Sequence, residues 1–166
     1  SINELNKSAQ IMDLMGLPKS PASKINIHVG GAYGDKDSAL ERFCNNFKRL
    51  QPSAQARLTV ENDDKANMYS VKDLYYSVYG IIGIPIVFDY HHHKFCTGDM
   101  SEEEALRLAA KTWPNGVKQC THYSESRRRE QSLVVENFLK NNNISIDRLA
   151  EFPTMDTLYK ECNKIK

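Results

Sequence analysis

Apolar side chains along this chain recur with a helical period and with a strand period, and the two alternate. Over residues 2–16, Ile2, Leu5, Ala9, Met12 and Met15 share one side at helical spacing until Gly16 and Pro18 end the run. "KINIHVGG" (24–31) is a short apolar run closed by glycines, which predicts a strand and then a loop. Residues 38–50 return to helical spacing through Leu40, Phe43, Phe47 and Leu50. "ARLTVENDD" (56–64) predicts a strand ending in acids, and "SVKDLYYSVYGI" (70–81) a helix with Ser70 as its cap. "IPIVFDYHHH" (84–93) reads as the next strand. "SEEEALRLAAKTW" (101–113) predicts a helix opened by a Ser101–Glu104 capping box, with three acids placed favourably against the helix dipole. "NGVKQCTHYS" (115–124) reads as a strand and "SLVVENFLKNNN" (132–143) as a helix stopped by asparagines. Residues 146–166 fit a helix, a strand near 154–159, or both.

Strand and helix therefore alternate, and the strands are apolar nearly throughout. That combination predicts an α/β fold, a parallel sheet covered by helices, in one domain spanning 1–166. The longest apolar run, "SVYGIIGIPIVF", is too short to cross a bilayer and is broken by Gly80, Gly83 and Pro85. No membrane association is expected. The formal net charge of +1 excludes a basic field over the whole protein, so any nucleic-acid contact must use a local patch. Cys44, Cys96, Cys120 and Cys162 have neither CxxC nor zinc-finger spacing. They read as reduced thiols, and no secretory signal opens the sequence, so an intracellular location in cytoplasm or nucleus is expected.

The predicted strands end alike. The first ends at His28, the second at Glu61, the third at Asp89 with His92, and the fourth at His122, at intervals of 33, 28 and 33 residues. Each interval suits one strand–helix unit. In a parallel barrel or open sheet all such ends lie on the carboxyl face, where α/β proteins build active sites. A single histidine there is ordinarily a satisfied surface or core residue; metal-type side chains at four successive ends point to a metal centre. Imidazoles mixed with carboxylates, without thiolates, favour Zn, Mn or Fe, and so many donors suggest more than one ion. Such a cluster suits phosphoester hydrolysis or sugar isomerisation. Three neighbouring segments add to it. "HVGGAYGDK" (28–36) is either a plain flexible turn or a glycine loop that lets a ligand approach, with Lys36 meeting a phosphate. "ENDDK" (61–65) supplies Asn62, Asp63 and Asp64 as a hydrogen-bonding loop or a solvated acidic turn. "SESRRRE" (124–130) carries Arg127, Arg128 and Arg129 either as a solvated face or along a phosphate backbone.

"LPKSPASKINIHVGGAYGDKDSALERF", "LTVENDD", "IPIVFDYHHH" and "THYSES" occur in order over residues 1–125 and together resemble the UV-damage endonuclease family. The resemblance implies a TIM-like (β/α)8 barrel related to endonuclease IV and xylose isomerase, of which this chain would be the carboxyl-terminal part. It implies a nuclease using divalent ions, manganese first and zinc second, that cuts the phosphodiester 5′ to photoproducts in UV-damaged double-stranded DNA. It also implies His28, Glu61, Asp89, His92 and His122 as metal ligands, with Glu61 bridging. Glu61, Lys36 and His122 would act in catalysis, and Lys36 with Arg127–Arg129 would hold DNA. Three features depart from the pattern. The strands expected before "IHVGG" are absent from the sequence, Cys120 stands where a modified lysine is expected, and Gln131 and Lys160 or Glu161 fall near further expected ligands. The missing barrel half is therefore expected in cis or in trans. The alternatives are an inactive fragment that binds nucleic acid or aids assembly, and an endonuclease IV-like or sugar-isomerase-like metalloenzyme.

Overall fold

Four short parallel strands form one sheet in the order β1-β2-β3-β4: β1 (Ile25–Ile27), β2 (Leu58–Glu61), β3 (Ile86–Asp89) and β4 (Thr121–His122). The structure, a computed structural model, describes residues 1–124 and 127–141, with 127–132 described by backbone alone. It divides into two compact units, Ser1–Tyr123 and Ser124–Lys166. The sheet belongs to the first. Sequential order without reversal is the winding of a barrel; a doubly wound sheet reverses direction at a switch point. The register is staggered as a barrel requires. β2 pairs with β1 through Leu58–Val60 and with β3 through Val60 and Glu61. β3 in turn meets β2 through Ile86 and Val87, and β4 through Phe88 and Asp89. Each strand thus uses its first half for the strand before it and its second half for the strand after, and the sheet curls into a parallel half-barrel.

Burial follows the order. Every residue of β2 and β3 is buried, as expected for inner parallel strands covered on both faces, whereas β1 is partly buried and β4 exposed. The covering helices are α1 (Ile2–Leu14), α2 (Lys36–Phe47), a single turn α3 (Pro52–Gln55), α4 (Val71–Leu74), α5 (Gly80–Ile82), a turn α6 (Tyr90–His93) and α7 (Glu102–Ala110). Leu40, Cys44, Leu74, Val78, Ala105 and Ala109 pack with Leu58, Val60, Ile86 and Phe88 in one core. The expected caps are present. Ser70 accepts from the Asp73 N–H and Ser101 from the Glu104 N–H, each in a reciprocal box, and Ser1 with Glu4 adds a third.

The helix expected over 70–81 is continuous but passes through a π segment, Tyr75–Tyr79, and ends where Gly83 adopts φ +72°. The strand expected over 84–93 stops at Asp89, whose carboxylate accepts the His92 N–H at 2.9 Å and turns the chain into α6. The strand expected over 115–124 shrinks to Thr121–His122, because the Val117 N–H closes a turn onto the Pro114 carbonyl and Gly116 takes φ +81°. In the second unit, α8 (Arg127–Asn141) begins five residues before its expected start. No Pro or Gly interrupts those residues, and arginine is a good helix former. Val135 of α8 is buried and packs with Val134, Phe138 and Leu139. Among the described residues no helix is long and apolar enough to cross a membrane.

Candidate metal centre

The carboxyl ends of the strands gather two overlapping sets of donors. His28, Glu61 and His92 form one triad, and Glu61, Asp89 and His122 the other; within each, the ligand-type atoms lie within 4.8 Å of one another. Glu61 is the last residue of β2, Asp89 the last of β3 and His122 the last of β4, while His28 directly follows β1. The shared Glu61 presents Oε2 to His122 Nδ1 at 3.0 Å and Oε1 to His92 Nδ1 at 3.5 Å. The His28 and His92 rings face each other with centroids 5.5 Å apart.

Glu61 and Asp89 are each only 5% exposed. Among the described residues neither forms an ion pair with Lys or Arg; their charged-type partners are His92 and His122. Two carboxylates withdrawn from water beside imidazoles, with no Lys or Arg on either, make a site that a cation stabilises. Three imidazoles and two carboxylates, all borderline or hard donors, are a set that Zn or Mn accepts. The residues present therefore fit divalent ions.

Further side chains hold the donors in place. Asn26 donates from Nδ2 to Glu61 Oε2 at 2.5 Å, and its own Oδ1 accepts from Thr59 at 2.9 Å. His28 Nδ1 lies 3.0 Å from Asp63 Oδ1. The hydrogen bond to Asp63 raises the His28 pKa above the ordinary imidazole value, against an opposing effect of burial. The backbone N–H of Asp63 donates to the Tyr69 carbonyl at 2.9 Å, which anchors the loop. His92 Nδ1 donates to the Asn62 carbonyl at 2.8 Å; a carbonyl only accepts, so Nδ1 carries a proton and Nε2 is the nitrogen left to face the site. Nε2 lies 3.9 Å from Asp89 Oδ2.

A family model described as "UV-endonuclease UvdE" matches residues 1–157. The chain belongs to the UV-endonuclease UvdE family. The UV DNA damage endonuclease of Bacillus pumilus is 44% identical over 120 residues, covering 71% of this chain and 36% of that protein. That of Bacillus velezensis is 38% identical over 159 residues, 95% of this chain and 48% of that protein. The UV-damage endonuclease of Neurospora crassa is 38% identical over 137 residues, 75% of this chain and 20% of that protein. The crystal structure of SacUVDE superposes with a TM-score of 0.69 at 35% identity, covering 87% of this chain and 49% of that one. The chain thus spans between a fifth and about half of the length of these UvdE relatives.

In this UvdE chain the structure brings together the five residues expected to hold metal, His28, Glu61, Asp89, His92 and His122. The three histidines of "YHHH" lie on a helical turn, so they fan outward instead of alternating as on a strand. His92 faces the carboxylates, His91 packs on Phe95, and His93 is buried against Phe88. Lys36, the first residue of α2, places Nζ 2.7 Å from Asp73 Oδ2. It lines a cleft of about 520 Å³ with Ser70, Lys72, Tyr76 and Phe95. The backbone of Arg127–Arg129 opens α8, and their side chains lie outside the described residues, as do Lys160 and Glu161. Sequence reasoning missed Asn26, and it left Asn62 and Asp63 open between a hydrogen-bonding loop and a solvated turn; they are the former. "ENDD" was legible as a polar strand tip, but the partners of each side chain come from β1, β3 and α6, tens of residues away.

Proposed function

We propose that this chain forms the metal-bearing part of a DNA repair endonuclease that hydrolyses the phosphodiester 5′ to UV photoproducts in double-stranded DNA. The observation that carries this reading is the convergence of His28, Glu61, Asp89, His92 and His122 at adjacent strand ends in a UvdE-family chain. One divalent ion would be held by His28, Glu61 and His92, a second by Glu61, Asp89 and His122, with Glu61 common to both. Manganese is the ion proposed first and zinc second. Divalent ions in such a site supply Lewis acidity toward phosphate oxygens and an activated water at neutral pH. The chain's own residues position the reaction. Glu61 fixes the separation of the two sites, and Asp63 orients His28 through Nδ1. His122 lies at the exposed edge of the cluster, where a phosphodiester reaches it. Lys36 at the start of α2, with Arg127–Arg129, is assigned to the DNA backbone. The half-barrel is read as part of a (β/α)8 barrel whose remaining strands are supplied in cis or in trans; the match to about half of SacUVDE supports this.

The test is metal analysis joined to a nicking assay on UV-irradiated, unirradiated and abasic duplexes. Bound manganese or zinc near stoichiometry, with nicking selective for irradiated DNA and lost in Glu61→Gln, is the expected result. A metal-loaded chain that leaves irradiated DNA intact, alone and with the complementary barrel half added, contradicts the nuclease reading.

A further inference from the structure

We infer that Asn62 is a positioning residue for the metal centre, acting on Asp89 and His92 at once. The inference rests on the metal-binding reading above but concerns a residue that touches no ion.

Its physical basis is the stagger of the sheet. Backbone pairing between β2 and β3 includes Val60 with Ile86 and Glu61 with Val87. Asp89 lies two residues beyond the last of these rungs, while on its other side it is in register with His122. Asp89 is buried, so a bare N–H and carbonyl facing β2 there would be unpaired away from water. The Asn62 side chain fills both positions. Its Oδ1 accepts the Asp89 N–H at 2.8 Å, and its Nδ2 donates to the Asp89 carbonyl at 3.1 Å. A primary amide has the same donor and acceptor pair as a peptide group, so Asn62 supplies one further rung of the ladder. Asn62 is 0% exposed, and no water competes for those bonds.

The same residue acts on His92 through its main chain. The Asn62 carbonyl accepts from His92 Nδ1 and leaves Nε2 on the side of the Asp89 carboxylate. Asp89, held by the rung, in turn caps the turn that carries His92. Two donors, one from each triad, thus depend on the residue next to Glu61. Glutamine has an extra methylene and displaces the rung, alanine removes it, and aspartate turns an oxygen onto the Asp89 carbonyl. Partners of this kind typically alter metal affinity by roughly 10–100-fold.

The experiment uses the whole chain and two readouts. First, nitrogen-15 NMR of metal-free protein reports the His92 tautomer. A ring protonated at Nδ1 is expected, and one protonated at Nε2 overturns the inference. Second, manganese titration followed by electron paramagnetic resonance compares wild type, Asn62→Ala, Asp89→Ala and the double variant. Asn62→Ala is expected to weaken binding by roughly 10-fold or more. In the double variant the loss is expected to fall well short of the product of the single losses, because the Asn62 side chain acts through Asp89, the ligand that the second change removes. Wild-type affinity in folded Asn62→Ala, or fully multiplicative losses, overturns the inference. Should Asn62→Ala not fold, Asn62→Asp, which keeps the volume, replaces it under the same criteria, and the wild-type tautomer decides if neither folds. A wild-type chain that binds no manganese or zinc defeats the metal reading instead, and the tautomer still decides the role of Asn62.

Discussion

At the amino ends of the strands the chain buries an arginine, and at the carboxyl ends it buries carboxylates; the arginine meets a carboxylate, whereas the carboxylates meet imidazoles and amides. Arg57, before β2, is 0% exposed. Its guanidinium pairs with Asp13 of α1 at 2.8 Å and donates to the Leu17 carbonyl at 2.8 Å and to Ser53. Glu61, at the other end of the same strand, is nearly as buried and meets imidazoles and amides. The first arrangement serves the fold: both terminal nitrogens of the guanidinium are bonded, and only Nε is left without a hydrogen-bond partner among the described residues. The second gathers two buried carboxylates among imidazoles, with no Lys or Arg on them among the described residues, a donor set that a cation completes. β3 shows the same division. Its first residue, Ile86, is bonded by Thr112 and by the Trp113 indole at 2.9 and 2.8 Å, and its last, Asp89, by Asn62. Side chains complete the ladder at both ends, yet only the upper pair presents a ligand.

The comparison is broken most severely at Asp13. Asp13→Ala leaves the Arg57 charge buried without its carboxylate, and the urea midpoint is expected to fall by the largest margin of the variants considered, with manganese affinity unchanged. The matching change at the upper end is Glu61→Gln. Both triads lose their common member, so affinity is expected to fall by roughly 100-fold in metal titrations. The metal-free fold should be as stable as wild type or more so, because a buried carboxylate with no Lys or Arg on it has gone. A metal-free Glu61→Gln chain less stable than wild type would show that the carboxylate is already satisfied. Trp113→Phe is a milder change at the lower end. It removes one hydrogen bond to Ile86 and is expected to cost about 1 kcal/mol by thermal or urea unfolding, again without effect on metal binding.

The smallest effect concerns pH, at a pair lying off this axis. Burial raises the Asp73 carboxyl, but hydrogen bonds from Lys36 and Ser70 outweigh it and hold the pKa below the ordinary aspartate value. A carboxyl lowered in the folded state adds stability above its unfolded pKa of about 3.9, and that stability is lost as the pH falls through the lower folded value. Lys36→Met is expected to reduce stability by less than about 1 kcal/mol near neutral pH and to make no difference near pH 2. Urea midpoints at the two pH values read this out.

The upper end of the sheet was the more legible in the sequence. His28, Glu61, Asp89 and His122 occupy the ends of short apolar runs, and a parallel sheet must bring such ends to one side. Caps such as Ser70 and Ser101 were legible because their partners lie three residues away. His92 was singled out from His91 and His93, but the helical turn that sets their directions was not legible, because it depends on the Asp89 carboxylate capping the His92 N–H. Lys36 read as a free cation because Asp73, its partner, comes from a different helix. Arg57 gave no signal for a similar reason: nothing in "QARLTV" announces a fully buried arginine whose counter-ion sits on α1. Contacts within a turn are written locally, and contacts between units appear only when the sheet is assembled.

Anomalous diffraction from crystals of this chain grown with manganese tests the central claim most directly. The account predicts scattering peaks on both sides of the Glu61 carboxylate, one within coordination distance of His28 and His92 and the other of Asp89 and His122. Peaks confined to surface acids such as Asp99 or Glu102, with none at Glu61 under saturating manganese, would contradict it.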